Sequence, residues 1–440
     1  MQVDLIIEAR WIIPVEPESV IHENHSLIVN DGKIIDLLPQ HTARHQYQAH
    51  TLRELHNHAL IPGLINCHTH ASMTLLRGIA DDLPLMEWLQ KHIWPLEQKW
   101  VGEAFVRDGT DLAIAEMIRG GTTCFNDMYF FPEITAHQAI KHGIRAGIGL
   151  IAIDFPSAWA EDSDAYLEKG LALHERLRHE PLITTPFAPH APYTISDEPL
   201  SKIRMLADEL DLPVHMHVHE TRHEVDEQRQ KTGQTPLQRL DELGLLSPAF
   251  IAVHMTQLSD AEIDDYARTG GHIVHCPESN LKLASGFCPV AQCLNAGINV
   301  ALGTDGAASN NDLDMLAEMR SAALLGKGVS GDASAVPAMT ALQMATLNGA
   351  KALGIDQQTG SLTIGKAADV VAIEFSEVET QPLYHPLSQI VYSASRNQVT
   401  DVWVGGRQLL KQRQLTTINL SDLHERIGIW RERLYADDNK

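Results

Sequence analysis

Several stretches of the chain end apolar runs with side chains that bind metals. His68-Thr69-His70 closes the first, and side chains two apart on a strand point the same way, so both imidazoles can meet one ion. His215, His217 and His219 alternate along another run that ends in Glu220. Three alternating histidines cannot all ligate one site, so spacing leaves the ligand open between His217 and His219. Glu220 also reads as the start of a solvated helix with Glu224 and Asp226. His254 ends Ile251-Ala252-Val253-His254, and Asp305 ends Leu302-Gly303-Thr304-Asp305, where it could equally cap a helix. Imidazole and carboxylate together suit zinc and related divalent metals. A metal with an open position lowers the pKa of water to roughly 7, so the chemistry on offer is hydrolysis.

These residues act together only if the elements converge. Apolar strand-like runs begin near Leu60, Thr122, Ile144, Leu182, Pro213, Phe250, Gly271 and Ile298, and helical stretches separate them. That alternation is the pattern of a parallel sheet built from βα units. Gly120-Gly121 closes one helix, and Ser196 with Glu198 and Pro199 opens another. Eight runs over about 250 residues match an α/β fold of the (β/α)8 barrel type, in which catalytic groups meet at the C-terminal strand ends. His, His, His and Asp at such ends point to one metal site. A doubly wound sheet would place a Gly-rich phosphate loop after its first strand, and Pro62-Gly63-Leu64-Ile65-Asn66 is not one. Residues 60–365 are expected to form the barrel. Residues 1–59 and 366–440, with short strand runs such as Ser26–Val29 and Ala368–Ile373, are expected to share a small β-sandwich domain plus a terminal helix.

The 440 residues suffice for one large and one small unit. Lys and Arg number 34 against 57 Asp and Glu, a formal charge of −23 that repels a phosphate backbone and argues against nucleic acid as a partner. The five cysteines, Cys67, Cys124, Cys276, Cys288 and Cys293, form no C-x-x-C pair, so a disulfide framework is not expected and a reducing cytoplasm fits. Asp4 and Glu8 interrupt the first apolar stretch, so no signal peptide is expected. No run approaches the roughly 20 apolar residues of a membrane span.

The pattern P-G-[LF]-[IV]-x-x-H-x-H stands here as Pro62-Gly63-Leu64-Ile65-Asn66-Cys67-His68-Thr69-His70. Further motifs are Thr74-Leu75-Leu76-Arg77-Gly78, Pro189-His190-Ala191-Pro192-Tyr193, His217-Val218-His219-Glu220-Thr221 and Gly303-Thr304-Asp305-Gly306-Ala307-Ala308-Ser309-Asn310-Asn311. In these the chain resembles, over nearly its whole length, the amidohydrolase superfamily branch of methylthioadenosine and S-adenosylhomocysteine deaminases. The resemblance implies His68, His70, His217 and Asp305 as ligands of one metal, with His215 structural. Zinc is the family expectation, and iron or manganese would accept the same donors. The fourth run, Ile183–Pro189, has no lysine to bridge a second metal. The cysteine-ligated class of zinc deaminases is excluded, since Cys276-Pro277-Glu278 supplies no P-C-x-x-C.

The resemblance further implies that water attacks the carbon bearing the exocyclic amine of a purine nucleoside. Asp305 takes a proton from the water, His254 orients it, and Glu220 protonates the ring nitrogen before ammonia leaves. For substrate it implies Trp88 over the sugar, Glu97 accepting from both ribose hydroxyls, His190 on the nucleoside and Ser309 on the purine. Arg145 would pair with the carboxylate of S-adenosylhomocysteine. The second arginine of some relatives is missing between Ile153 and Arg176, which favours 5′-methylthioadenosine, with adenosine as a further candidate. A related aminohydrolase or chlorohydrolase acting on guanine, cytosine or an s-triazine is the alternative, against which Glu97 argues. A scaffold relative would be expected to have lost ligands. A homo-oligomer is expected, since barrels often associate.

Overall fold

The central strands are buried on both faces, so even polar residues such as Asn66, Thr123 and His215 lie inside. Strands Leu64–Thr69, Thr122–Asp127, Val214–Val218 and Phe250–His254 are buried along their whole length. The computed structural model describes residues 1–438. Parallel pairing joins Leu64–Thr69, Thr122–Asp127, Arg145–Ile148 and Ile183–Thr184 in one ladder. A second ladder runs through Leu150–Ala152, Phe187–Pro189, Val214–Val218, Phe250–His254, His272–His275 and Asn299–Leu302.

The division falls inside two of the expected strands. Gly149 interrupts the third, where an added Cβ would lie 2.5 Å from the Asp127 carbonyl oxygen and 2.8 Å from the Ala188 side chain. Pro186 interrupts the fourth, since it has no amide hydrogen to give a neighbour. The remaining edges meet: the Asp305 amide donates to the His68 carbonyl at 3.0 Å. Asn66 donates to the Thr304 hydroxyl at 2.7 Å and accepts from the Thr304 amide at 3.0 Å. The ends of the His68 and Asp305 strands are thereby tied together. Helices between the strands carry ordinary stop signals; Asp260–Thr269 opens with a Ser259–Glu262 capping box and closes at Gly270 in the left-handed region.

The chain ends build one continuous eight-stranded sheet. Its order is Gln414–Leu415, Arg407–Lys411, Val399–Val404, Val370–Glu374, Gln48–Pro62, Gln2–Ile12, His22–Asn30 and Lys33–Pro39. The two termini meet where Val370–Glu374 pairs antiparallel with the end of Gln48–Pro62. Leu5, Ile7, Leu27, Leu60, Val370 and Trp403 are buried together against one another. The sheet runs on to Pro62, so the parallel layer starts at Leu64 rather than residue 60.

Within the expected 366–440 segment, helix Leu420–Asp438 leaves the sheet and docks on helix Glu103–Arg119. Arg426 pairs with Asp108 and Asp111, and the Trp430 indole donates to Asp108 at 2.9 Å. Residues 439–440 of that segment lie outside the described residues. All five cysteines are free and buried. Among the described residues no helix is long and apolar enough to cross a membrane.

Candidate metal centre and active site

His68 and Asp305 meet because their strands are the tied edges, and His70 and His217 reach the same point. One donor atom from each of the four residues lies within 4.8 Å of every other. His68 Nε2 is 3.0 Å from His217 Nε2 and 3.2 Å from Asp305 Oδ1, and His70 Nε2 is also 3.2 Å from Oδ1. Behind the rings, His70 Nδ1 donates to the Met128 carbonyl at 2.6 Å and His217 Nδ1 to the His190 carbonyl at 2.7 Å. In neutral rings those bonds leave both Nε2 atoms as bare acceptors. Lone pairs and a carboxylate oxygen aimed at one point repel each other unless a cation sits among them. Three imidazoles and one carboxylate form a single site suited to zinc.

The alternation on strand Val214–Val218 sorts itself by depth and backbone. His215 lies behind the site, its Nε2 3.1 Å from His68 Nδ1. His219 turns away, donating from Nδ1 to the Gln257 carbonyl at 2.8 Å and accepting the Leu237 amide at 3.3 Å. His217 is the histidine of this run that joins the cluster. Burial pushes His68 down to about 4 and His217 well below the usual imidazole range, which favours the neutral ligand forms. Burial works against the His70 cation too, but the bond and charge of Asp305 outweigh it and raise His70 to about 9. Burial would raise Asp305; hydrogen bonds from His68 and His70 instead hold it well below the carboxylate range. His70 and Asp305 would give up the proton they share to hold a divalent cation.

Proton-handling groups surround this point. Burial, then the Asp305 charge, push the Glu220 carboxyl up to about 8, so it is an acid at neutral pH. Its Oε2 lies 3.9 Å from His254 Nε2. His254 Nδ1 lies 2.8 Å from Asn280 Oδ1, an acceptor, so Nδ1 carries the hydrogen and Nε2 is free to accept. Asp305 Oδ2 accepts from the Ser279 hydroxyl at 2.7 Å and the Ser309 hydroxyl at 2.8 Å, which leaves Oδ1 to the cluster. The Glu220 amide donates to Glu224 Oε2 at 2.7 Å, and the His219 amide to Oε1 at 3.1 Å. Glu224 is therefore buried support for Glu220 rather than a solvated helix charge. His219, His254 and Asp305 have φ of 52°, 75° and 61°, left-handed conformations gathered at the strand ends that carry the site.

Ser279, Asn280 and the supporting role of Glu224 escape a reading by residue type. Ser279 and Asn280 open the short helix Pro277–Lys282 after strand His272–His275. That strand supplies no ligand, so nothing marked its end as part of the site.

A cavity of ≈ 630 Å³ stands over the cluster, lined by His70, His217, Asp305, Glu220 and His254. Trp88, Glu97, His190 and Ser309 line it as well. The buried Trp88 indole nitrogen has no hydrogen-bond partner within the protein. Burial drives His190 down to about 3, so its ring is neutral. Tyr129, not foreseen, also lines the cavity and donates to Glu97 at 2.6 Å. Apolar side chains such as Met73, Leu85, Ile93 and Phe155 form much of the wall, and among the described residues no lysine or arginine is part of it.

Arg145 corrects the expectation of a tail-binding arginine. It opens strand Arg145–Ile148, and parallel strands put their starts on the face opposite their ends. Its Nε donates to buried Asp369 at 2.6 Å and its Nη1 to the Pro181 carbonyl at 3.3 Å. It fastens the parallel layer to the terminal sheet.

A bound divalent metal supplies Lewis acidity and makes water nucleophilic near neutral pH. Asp305 and His254 Nε2 are placed to accept protons, and protonated Glu220 is placed beside them to donate one.

Comparison with known proteins agrees with this geometry. The amidohydrolase family matches residues 59–409. The chain is 50% identical over 434 residues to a protein of Teredinibacter turnerae named 5-methylthioadenosine/S-adenosylhomocysteine deaminase, covering 99% of this chain and 98% of that one. A crystal structure of an adenosine deaminase from Xanthomonas campestris with bound zinc shares 52% identity and a TM-score of 0.98, over 99% of both chains. The zinc complex of atrazine chlorohydrolase from Arthrobacter aurescens, 22% identical with a TM-score of 0.89 over 97% of this chain and 99% of that one, shares the fold. With most of its length matched by the family and a metal cluster at its strand ends, the chain belongs to the amidohydrolase family.

Proposed function

We propose that the protein is a single-metal aminohydrolase that converts an adenosine-type nucleoside, foremost 5′-methylthioadenosine, and water into the inosine analogue and ammonia. Its ligands are His68, His70, His217 and Asp305, and its proton-handling groups are Glu220, His254 and Asp305. The observation that carries this reading is the lining of one cavity. It brings the metal cluster and an acid, Glu220, suited to protonating a ring nitrogen, together with Glu97, a carboxylate suited to ribose hydroxyls, and Trp88, whose indole has a free donor. Relatives named for adenosine-type substrates support the same class. With no lysine or arginine of the described residues in the wall, an amino-acid tail would leave its carboxylate without a counter-charge, whereas a methylthio group suits the apolar side chains.

The reading includes a fold and a setting. The two parallel ladders, tied at His68 and Asp305, are read as a closed (β/α)8 barrel, and the terminal sheet as a small sandwich curled on its own core. Five buried free thiols suit a reducing cytoplasm. Self-association is part of the proposal, with the small nucleoside rather than nucleic acid as the ligand.

A panel of 5′-methylthioadenosine, adenosine, S-adenosylhomocysteine, guanine and melamine, assayed by ammonia release, tests the reading. kcat/KM should be highest for 5′-methylthioadenosine and at least roughly tenfold lower for S-adenosylhomocysteine, the scale of one missing charge-assisted contact. Activity confined to guanine or melamine would refute the nucleoside assignment, and a preference for S-adenosylhomocysteine would refute the apolar-tail argument.

A further inference from the structure

We infer that Tyr129 is a positioning residue for sugar recognition, holding the Glu97 carboxylate so that it accepts both ribose hydroxyls and thereby setting the preference for ribonucleosides. The inference rests on the proposal that Glu97 is the sugar contact. Tyr129 is 4% exposed, and its hydroxyl donates to Glu97 Oε1 at 2.6 Å, within the range of a charge-assisted bond. Burial, then the Glu97 charge, push the phenol well above its ordinary range, so it serves Glu97 only as a donor.

A glutamate side chain has several rotatable bonds, and freezing it on substrate costs entropy. Reading a cis-diol needs the carboxylate plane fixed beforehand, because both hydroxyls must find lone pairs at once. One donor on Oε1 fixes that plane and leaves acceptor sites for two hydroxyls.

The same short segment also holds the metal end. The Met128 carbonyl accepts from His70 Nδ1 at 2.6 Å, and the Met128 amide donates to the Thr69 carbonyl at 3.0 Å. Just before it, Asp127 Oδ1 accepts from the Ala71 amide at 2.7 Å and the Thr69 hydroxyl at 3.0 Å. Met128 and Tyr129 therefore set a fixed spacing between a metal ligand and the sugar carboxylate. A purine carbon placed against the metal would have its ribose delivered to Glu97 in register.

The experiment uses zinc-loaded full-length protein and two substrates, 5′-methylthioadenosine and its 2′,3′-dideoxy analogue. Tyr129→Phe removes only the hydroxyl. It should lower kcat/KM for the ribonucleoside roughly tenfold, mainly through KM, and change the dideoxy analogue by less than about twofold. Glu97→Ala should abolish the discrimination altogether. If Glu97→Ala abolishes it and Tyr129→Phe leaves it intact, the positioning role is wrong while the sugar reading stands. Equal losses on both substrates in Tyr129→Phe would make the hydroxyl merely structural and overturn the inference. Undiminished discrimination in Glu97→Ala would remove the sugar reading and the inference with it. Should Tyr129→Phe fail to fold, Tyr129→Met is subject to the same two criteria.

Discussion

In the proposed mechanism Glu220 is useful only while it carries a proton. A carboxyl whose pKa is raised stays protonated up to that pKa and loses its proton above it, so acid-dependent turnover should be present at neutral pH and decline as pH rises through about 8. Glu220→Gln cannot supply the proton. It should keep its metal and lose on the order of 10² or more in kcat. Metal analysis and a pH series of kcat/KM on the two proteins check both points, and an unchanged kcat in the variant would remove Glu220 from the mechanism. The ligands were legible only jointly: each histidine or aspartate was ambiguous alone, and their shared placement at the ends of strands marked a site. His217 needed the family resemblance to separate it from His219, and the structure gives the physical reason: His219 spends both ring nitrogens on backbone groups. Ser279 and Asn280 were not legible, because small polar residues after a strand more often cap helices or make turns than orient a base.

At the scale of elements, strand polarity decides which residues meet. Counting strands from the sequence gave their starts well enough to find the site, but Arg145 was assigned to the substrate by family resemblance although it begins its strand. Its partner Asp369 is fully buried and also accepts from the Thr359 hydroxyl at 2.8 Å and the Gly405 amide at 2.7 Å. Arg145→Met should therefore leave KM for 5′-methylthioadenosine unchanged while costing about 3 kcal/mol of stability, as expected when one partner of a buried pair is removed. Denaturant midpoints and steady-state kinetics on the same variant check this. An altered KM with an unshifted midpoint would return Arg145 to the substrate. The splitting of the third and fourth strands had a local mark in Gly149 and Pro186, residues that break strands, but which neighbours each half would pair with had none.

Across the whole molecule, the chain ends hold the catalytic layer from outside. Short strand runs at both termini made a shared sheet readable, but which strand met which depended on long-range pairing that no local pattern records. The docking of helix Leu420–Asp438 was hidden for the same reason, since a partly apolar helix does not name its partner. Trp430 belongs to the buried cluster that contains Trp88, Leu85 and Ile93 of the cavity wall, and it packs edge-on against Phe105 with ring centroids 5.4 Å apart. Trp430→Ala should lose about 3 to 5 kcal/mol of stability. Because that cluster includes Trp88 and Tyr129, which the proposal places at the sugar, KM should rise more than kcat falls. A variant with wild-type KM would show that the helix supports the fold alone.

The central claim is that one metal, held by His68, His70, His217 and Asp305, powers the deamination of a nucleoside. Metal-stripped protein titrated with zinc, with ammonia release from 5′-methylthioadenosine followed at each step, tests it most directly. The account predicts that activity rises linearly and stops at one zinc per chain, the capacity of the single four-residue cluster found among the described residues. Activity that persists without metal, or that needs a second equivalent, would contradict it.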